Sequence, residues 1–550
     1  MLVYCRWTMG KLSYLLVILS TTAVFAHDPQ VVQTAQGKLR GFKATSRSGR
    51  PFLSFASIPF AKPPVGPLRF QPPQEPEPWE GIRNATDLGP WCIQYNMYDI
   101  PPATFGVEDC LYLAVHTHNT RGRAPVMFHL HGGGFISGNG PHKTDPRYLM
   151  DEDVVIVDIN YRLGIMGFLS FEDEVMPGNQ GMKDQVMALR WVKKNIAKFG
   201  GDPNRVTLVG ESAGAGSVYH HTVSPLSRGL FHGGIAESGS SYAMWCVTPP
   251  GLAKEYAQKL AGLVSCPKGN SKEAVACMMK KDAKELVGHM EDYRIWQIDP
   301  LILFLPVLEP AGPGAFITGP INKWQHNPVP LLMGTTSAEG LLRTGYFLYY
   351  NMDFKWYDDN FERLAPVSHM YFATASNPNE VTRKIREFYY GNKPISLNDW
   401  VNVTNTYTDS WFTHGIFEGA DKHTGDVYFY YFDYRGEYSF FPAEGNTTQY
   451  AIGAAHTDEI LYIWYNKNFA SDLKGKDVEL SKKLVKIWTD FAKHGKAIPP
   501  PNSGKWDKWV TKKHNYMHIT NSGFKPQIGL HEDRYRFWSE LNFRDKYPWN

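Results

Sequence analysis

Long apolar runs are scarce in this 550-residue chain. Beyond its first residues, no segment stays apolar over the ~20 positions that a bilayer-crossing helix needs, so no membrane span is expected. An excess of one charge is lacking as well. Lysine and arginine number 57 against 54 aspartates and glutamates, giving a net charge of +3 and a pI near 8.3. No basic cluster interleaves with aromatics, which argues against a nucleic-acid partner. The metal-binding spacing HExxH does not occur, and no glycine-rich phosphate loop is evident. Neither a metal nor a cofactor is therefore expected. Internal repeats and low-complexity linkers are missing too. The Pro- and Gly-rich tract from Gly312 to Pro330 is too short to mark a boundary. Length alone would allow three or four domains. The uniform texture favours one large domain over residues 27–550, with long insertions.

Cysteine is sparse, with six in all. Cys5 falls in a leader-like start. Arg6 and Lys11 precede the apolar run Leu15-Leu16-Val17-Ile18-Leu19, and Val24-Phe25-Ala26 offers a cleavage site before His27. Residues 1–26 thus read as a secretory signal, with a short membrane anchor as the other reading. The C-terminal Lys546-Tyr547-Pro548-Trp549-Asn550 carries no hydrophobic tail and no retention signal. A secreted, extracellular protein is expected. In an oxidising compartment, Cys92 with Cys110 and Cys266 with Cys277 would close two local loops, each worth about 3 kcal/mol on a loop-entropy basis. Cys246 is left over, as a buried thiol or an intermolecular bridge. Asn84, Asn402 and Asn446 each open a glycosylation sequon.

Short β-like runs alternate with helical ones. Val126 to Leu130, Val154 to Ile159, Val206 to Val209, Pro330 to Met333 and Val427 to Phe432 read as strands. The second is apolar throughout except for Asp158, as in a sheet covered on both faces. Asp184 to Phe199 carries Val186, Leu189, Val192 and Ile196 at helical spacing and stops at Gly200-Gly201. The expected class is α/β with a largely parallel sheet.

One stretch carries chemistry more directly than any other: Gly210-Glu211-Ser212-Ala213-Gly214, directly after the strand at Val206. Strand, sharp turn and helix make a nucleophile elbow, in which glycines permit close approach and the serine hydroxyl stands at a helix N-terminus. A plain glycine-rich turn is the alternative. Serine is inert alone and needs a base, an orienting acid and oxyanion donors. His131-Gly132-Gly133-Gly134-Phe135 follows a strand and places bare amides where they would complete an oxyanion hole with Ala213. Among 19 histidines, His456 stands in a small-residue loop after the strand at Val427. His220 and His221 are too near Ser212 and point along the following helix, and His131 reads as a structural member of the glycine loop. Glu339 follows the strand at Leu331, as a triad acid or as a solvated loop carboxylate. The order Ser212, Glu339, His456 is the nucleophile–acid–base order of α/β-hydrolases.

These blocks, together with Leu68-Arg69-Phe70, Glu108 to Leu113, Asn160-Tyr161-Arg162, Gly178 to Gln185 and Phe199 to Pro203, resemble the type-B carboxylesterase and cholinesterase family, and within it secreted arthropod esterases. The resemblance implies an α/β-hydrolase fold, with insertions around an active-site gorge. It implies Ser212 as nucleophile, His456 as general base and Glu339 as orienting acid. The amides of Gly133, Gly134 and Ala213 would form the oxyanion hole, Glu211 a supporting carboxylate near the histidine, and Trp245 a wall of the acyl pocket. Both local cysteine pairs fit the family's disulfides. Two departures narrow the choice. The Cys92–Cys110 loop contains Tyr95 and Tyr98 but no tryptophan, whereas cholinesterases hold a quaternary ammonium with one. Glu211 stands where juvenile hormone esterases usually have glutamine. The expected activity is hydrolysis of a neutral, hydrophobic carboxylic ester through an acyl-enzyme, the ester being a xenobiotic, an odorant or pheromone, or a hormone. Juvenile hormone esterase, a long-chain lipase and a non-catalytic adhesion protein of the same fold are the rival readings. Tyr346-Phe347-Leu348-Tyr349-Tyr350 would line the gorge or simply pack the core.

Overall fold

A computed structural model describes residues 30–96, 102–349, 351–440, 452–467, 470 and 473–545, with only the main chain of Tyr349. Residues 1–26, expected to be a secretory signal, with Cys5, and also Tyr98, Tyr350 and the sequon expected at Asn446 lie outside the described residues.

Eleven strands form one sheet. They are β1 (Phe42–Thr45), β2 (Pro51–Pro59), β3 (Tyr112–Thr117), β4 (Ala124–Leu130), β5 (Val155–Ile159), β6 (Gly201–Glu211), β7 (Gly233–Glu237), β8 (Leu331–Thr336), β9 (Val427–Asp433), β10 (Tyr516–Thr520) and β11 (Gly523–Gln527). Their order is β1-β2-β3-β5-β4-β6-β7-β8-β9-β10-β11. From β5 through β10 all neighbours are parallel. The edges are antiparallel, β1 to β3 on one side and β11 on the other. This is the open, mostly parallel sheet that alternating β and helical runs predict.

Both faces are covered, which explains the nearly continuous apolar strands. Val126, Phe128 and Leu130 of β4 join one core with Val206, Leu208, Leu331, Met333, Val427 and Phe429. Their alternates Met127, Ile156, Val209, Ile235, Leu332 and Tyr428 join the opposite core, as the two-residue period requires. Helices α1 (Gln180–Asn195) and α2 (Ala213–Val223) supply Val186, Leu189 and Val218 to the first core. Helix α3 (Leu341–Tyr349) follows β8, and much later in the chain α4 (Gly475–His494) packs Leu480, Leu484, Trp488 and Phe491 into the second core.

Helix α1 starts at Gln180, before the Asp184 that apolar spacing indicates, because its first turn is buried through polar pairing. In it Lys183 Nζ donates to Glu309 Oε2 at 2.6 Å, and just beyond it Asp184 accepts from Arg162 Nε at 2.8 Å and from Nη2 at 2.7 Å. It ends through a short 3-10 turn at Gly200 (φ +77°), where glycine adopts the left-handed turn at no steric cost. The run at Ile460 is a 3-10 turn, Asp458–Tyr462, rather than a helix.

Candidate active site

The candidate residues gather beyond the C-terminal ends of parallel strands, where open α/β sheets bind their ligands. β6 ends at Glu211 and α2 begins at Ala213, so Ser212 alone makes the turn, with φ +58° and ψ −121°. An L-residue held there costs of order 1–3 kcal/mol and persists only where its surroundings enforce it. The enforcement is visible. Ser212 N–H donates to Glu237 O at 2.8 Å, and a Cβ at Gly214 would stand 1.9 Å from Leu130 O. Only glycine lets helix and strand approach this closely.

The glycine loop follows β4. Gly133 (φ +108°) and Gly134 (φ +63°) both adopt positive φ. A Cβ on Gly133 would fall 2.0 Å from Ser137 O. The Gly132 N–H is tied down, donating to Glu211 Oε1 at 2.6 Å. Among the described residues, no acceptor takes the N–H groups of Gly133, Gly134 or Ala213. His131 lies beside them, its Nδ1–H donating to Gly132 O at 2.8 Å and its ring stacked on Tyr161 at 4.4 Å. Burial pulls it down to a pKa of about 4. His220 and His221 are buried further along α2. The first donates to Cys246 O, and the second lies between Gln185 and Ser227.

Glu339 and His456 come together. His456 Nδ1–H donates to Glu339 Oε2 at 2.5 Å. The other oxygen, Oε1, accepts from Ser238 Oγ at 2.5 Å, Thr335 Oγ1 at 2.7 Å and Thr336 N at 2.7 Å. Burial pushes the carboxyl up, but the His456 charge and these donors outweigh it and hold Glu339 below the ordinary glutamate range. The two loops are stitched by Ala338 N–H donating to Ala454 O at 2.9 Å and Ala454 N–H donating to Ser337 Oγ at 2.9 Å. Asp458 closes the histidine loop by accepting from Ala455 N at 2.8 Å. The imidazole packs against Phe412, with ring centroids 4.4 Å apart. Among the described residues, no hydrogen bond joins Ser212 Oγ to His456, but both line one cavity of about 1600 Å³.

The apolar part of the cavity lining includes Trp245, Leu301, Ile302, Tyr346, Trp411 and Phe412. The Trp245 indole N–H donates to Trp411 O at 2.6 Å, so the ring offers the cavity its carbon face. Tyr346 lines the space, whereas Phe347 is fully buried against Trp296, Tyr357 and Tyr407. The helix thus serves both the gorge and the core.

Glu211 lines the same cavity as His456. Its oxygens go to Gly132 N and to His129 Nε2, the latter at 3.1 Å. The sequence did not single out Ser238, His129 or Trp91. Ser238 follows β7, the sheet neighbour of β6 and β8. Trp91, one residue outside the cysteine loop, lines the cavity against His142. His129 is one polar residue in a buried strand, and Asp158, already conspicuous in an apolar run, is its register partner. Cys92–Cys110 and Cys266–Cys277 are bonded as expected, and Cys246 is a buried free thiol.

Known proteins resemble the chain over most of its length. The carboxylesterase family model matches residues 28–538. A juvenile hormone esterase of Tribolium castaneum is 35% identical, covering 96% of each chain. Venom carboxylesterase-6 of Apis mellifera is 35% identical over 98% of this chain and 99% of its own. Esterase FE4 of Myzus persicae is 37% identical over 86% and 85%. With its open parallel sheet and a serine turn between β6 and α2, the chain belongs to the carboxylesterase family, carboxylic-ester hydrolases built on the α/β-hydrolase fold.

Proposed function

We propose that the chain is a secreted serine carboxylesterase that hydrolyses neutral, hydrophobic esters through an acyl-enzyme. One observation carries this reading: the Glu339–His456 hydrogen bond stands on the cavity that Ser212 also lines. In the mechanism, His456 Nε2 takes the Ser212 proton as Oγ attacks the ester carbonyl. The Ser–His contact tightens as substrate seats, as catalytic hydrogen bonds commonly do. Glu339, ionised at neutral pH, fixes the imidazole tautomer and offsets its transient charge. The amides of Gly133, Gly134 and Ala213 receive the oxyanion. His456 then protonates the departing alkoxide. Water, deprotonated by the same imidazole, attacks the acyl-serine and releases the acid.

Trp245 and its apolar neighbours would receive the acyl group, which suits an uncharged, greasy ester. The Tribolium relative's name makes a juvenile hormone ester one member of the substrate panel. Secretion rests on the leader-like residues 1–26 and on the sequons. Asn84 is exposed and Asn402 half-exposed, so both would be open to glycosylation. Among the described residues, no helix is long and apolar enough to cross a membrane.

The test is stoichiometric labelling with an organophosphate. One adduct per chain on Ser212 is expected, with Ser212→Ala losing on the order of 10⁶ in kcat towards aryl esters. An unlabelled, inactive wild type would favour a binding protein of the same fold. Full activity in Ser212→Ala would end the serine assignment.

A further inference from the structure

Behind the glycine loop lies a second acid–imidazole array, distinct from Glu339 and His456, whose centre, His129 and Asp158, is fully buried while Glu211 and His116 reach the cavity wall. Register pairs His129 of β4 with Asp158 of β5. His129 Nδ1 lies 2.9 Å from Asp158 Oδ1, and its Nε2 lies 3.1 Å from Glu211 Oε2. Both ring nitrogens face carboxyl oxygens, an arrangement that an imidazolium satisfies with its two N–H donors. Burial alone would strip its proton, but hydrogen bonds and charge from Asp158 and Glu211 push His129 up to about 10. Asp158 is braced in turn by Thr144 Oγ1 at 3.1 Å. His116 Nε2 stands 3.5 Å from its other oxygen, and His116 Nδ1 meets Ser54 Oγ at 2.8 Å. Trp464 covers the His129 ring at 4.6 Å.

This array ends on the catalytic loop. Glu211 spends Oε2 on His129 and Oε1 on the Gly132 N–H, at 3.1 and 2.6 Å. Gly132 immediately precedes the two glycines whose amides face the cavity. A buried carboxylate with no cation beside it would take up a proton and lose half its accepting capacity. With His129 beside it, Glu211 stays ionised and its grip on Gly132 is a charge-assisted bond, about twice as strong as a neutral one.

We infer that His129, braced by Asp158, is a positioning residue for the oxyanion hole: it holds Glu211 in place on the Gly132 amide and so aims the Gly133 and Gly134 amides at the developing negative charge. This rests on the serine esterase reading. A loop aimed at the transition state should affect kcat and leave the ground-state complex nearly unchanged.

The experiment compares wild type with His129→Gln and, as an independent variant, Asp158→Asn. Asp158→Asn keeps the His129 ring while halving its counter-charge. Each is assayed with a short acyl nitrophenyl ester and with an aryl trifluoromethyl ketone, whose hemiketal adduct with Ser212 Oγ mimics the oxyanion. The expected outcome is a kcat about ten-fold lower or more, KM within two- to three-fold, and ketone affinity lost in step with kcat. One organophosphate adduct per chain should remain in each variant. Unchanged kcat and ketone affinity in either folded variant would overturn the inference. So would a loss carried entirely by KM. Absence of organophosphate labelling in wild type would instead defeat the serine reading itself, so the two failures are distinguishable.

Discussion

Glu339 and His456, 117 residues apart in the chain, meet at 2.5 Å between Oε2 and Nδ1. The other oxygen, Oε1, takes two donors from β8 and one from Ser238, which fixes the orientation of the carboxylate. Glu339→Gln would present an amide N–H₂ either to Nδ1–H or to the Thr336 N–H, and each choice sets donor against donor. The imidazole would then favour the wrong tautomer. On the proposed mechanism, a fall in kcat of up to about 10⁴ with little change in KM is expected. Steady-state kinetics on a nitrophenyl ester measures it, and a loss under ten-fold would remove Glu339 from the mechanism.

Gly133→Ala tests the loop on the opposite wall. The new methyl would lie 2.0 Å from Ser137 O at a φ of +108°, so the backbone must move rather than the side chain. Losing one well-placed oxyanion donor costs about 10²–10³ in kcat. That loss is expected here, with Ser212 still accessible to organophosphate, although at a slower rate. Wild-type turnover in this variant would show that the loop amides do not serve the oxyanion.

The parts of this fold that stand out in the sequence are those decided locally. Strands β4, β5, β6, β8 and β9 are apolar runs because both sheet faces are covered, and Gly200 marks the end of α1 through its positive φ. The turn at Ser212 and the loop at Gly132 are legible because their glycines answer to steric contacts a few ångströms away. What pattern reading misses is polar and distant. The first turn of α1 is buried with Lys183 paired to Glu309, so apolar periodicity does not see it. Ser238, His129 and Trp91 acquire their contacts only once strands far apart in sequence lie side by side. The Asp158 interruption of an apolar strand was the one trace of the array behind Glu211. The partner that explains it, His129, sits 29 residues away on the neighbouring strand.

Trp245→Leu should widen the space beside Ser212. The indole is almost fully buried, 1% exposed, and its ring also packs on Phe412 at 5.8 Å. Leucine leaves room for a longer or branched acyl chain, so the ratio of kcat/KM on butyrate to that on acetate should rise several-fold. The Trp411 carbonyl loses its donor, which costs about 1–3 kcal/mol of stability. A panel of nitrophenyl esters of increasing acyl length reads the first effect and thermal denaturation the second. An unchanged acyl profile would place Trp245 outside the acyl pocket.

Glu237 gives the fold a pH dependence of its own. It ends β7 fully buried. Oε1 accepts from Trp488 Nε1 at 2.7 Å, and among the described residues Oε2 has no partner. Burial, reinforced by the charge on Glu211, pushes its carboxyl up to about 8 from an ordinary 4.5. A raised carboxyl favours the protonated form in the folded state only. Between pH 4.5 and 8 the unfolded chain releases this proton while the folded chain keeps it, so stability falls as pH rises and levels off above 8. Glu237→Gln keeps the shape and the Trp488 hydrogen bond but cannot ionise. Its thermal midpoint relative to wild type should therefore rise from pH 5 to pH 8. The sign follows from the direction of the shift: a carboxyl with a lowered value would give the opposite trend. Midpoints measured across that range check it, and a constant difference between the two proteins would mean that Glu237 is ionised in the fold.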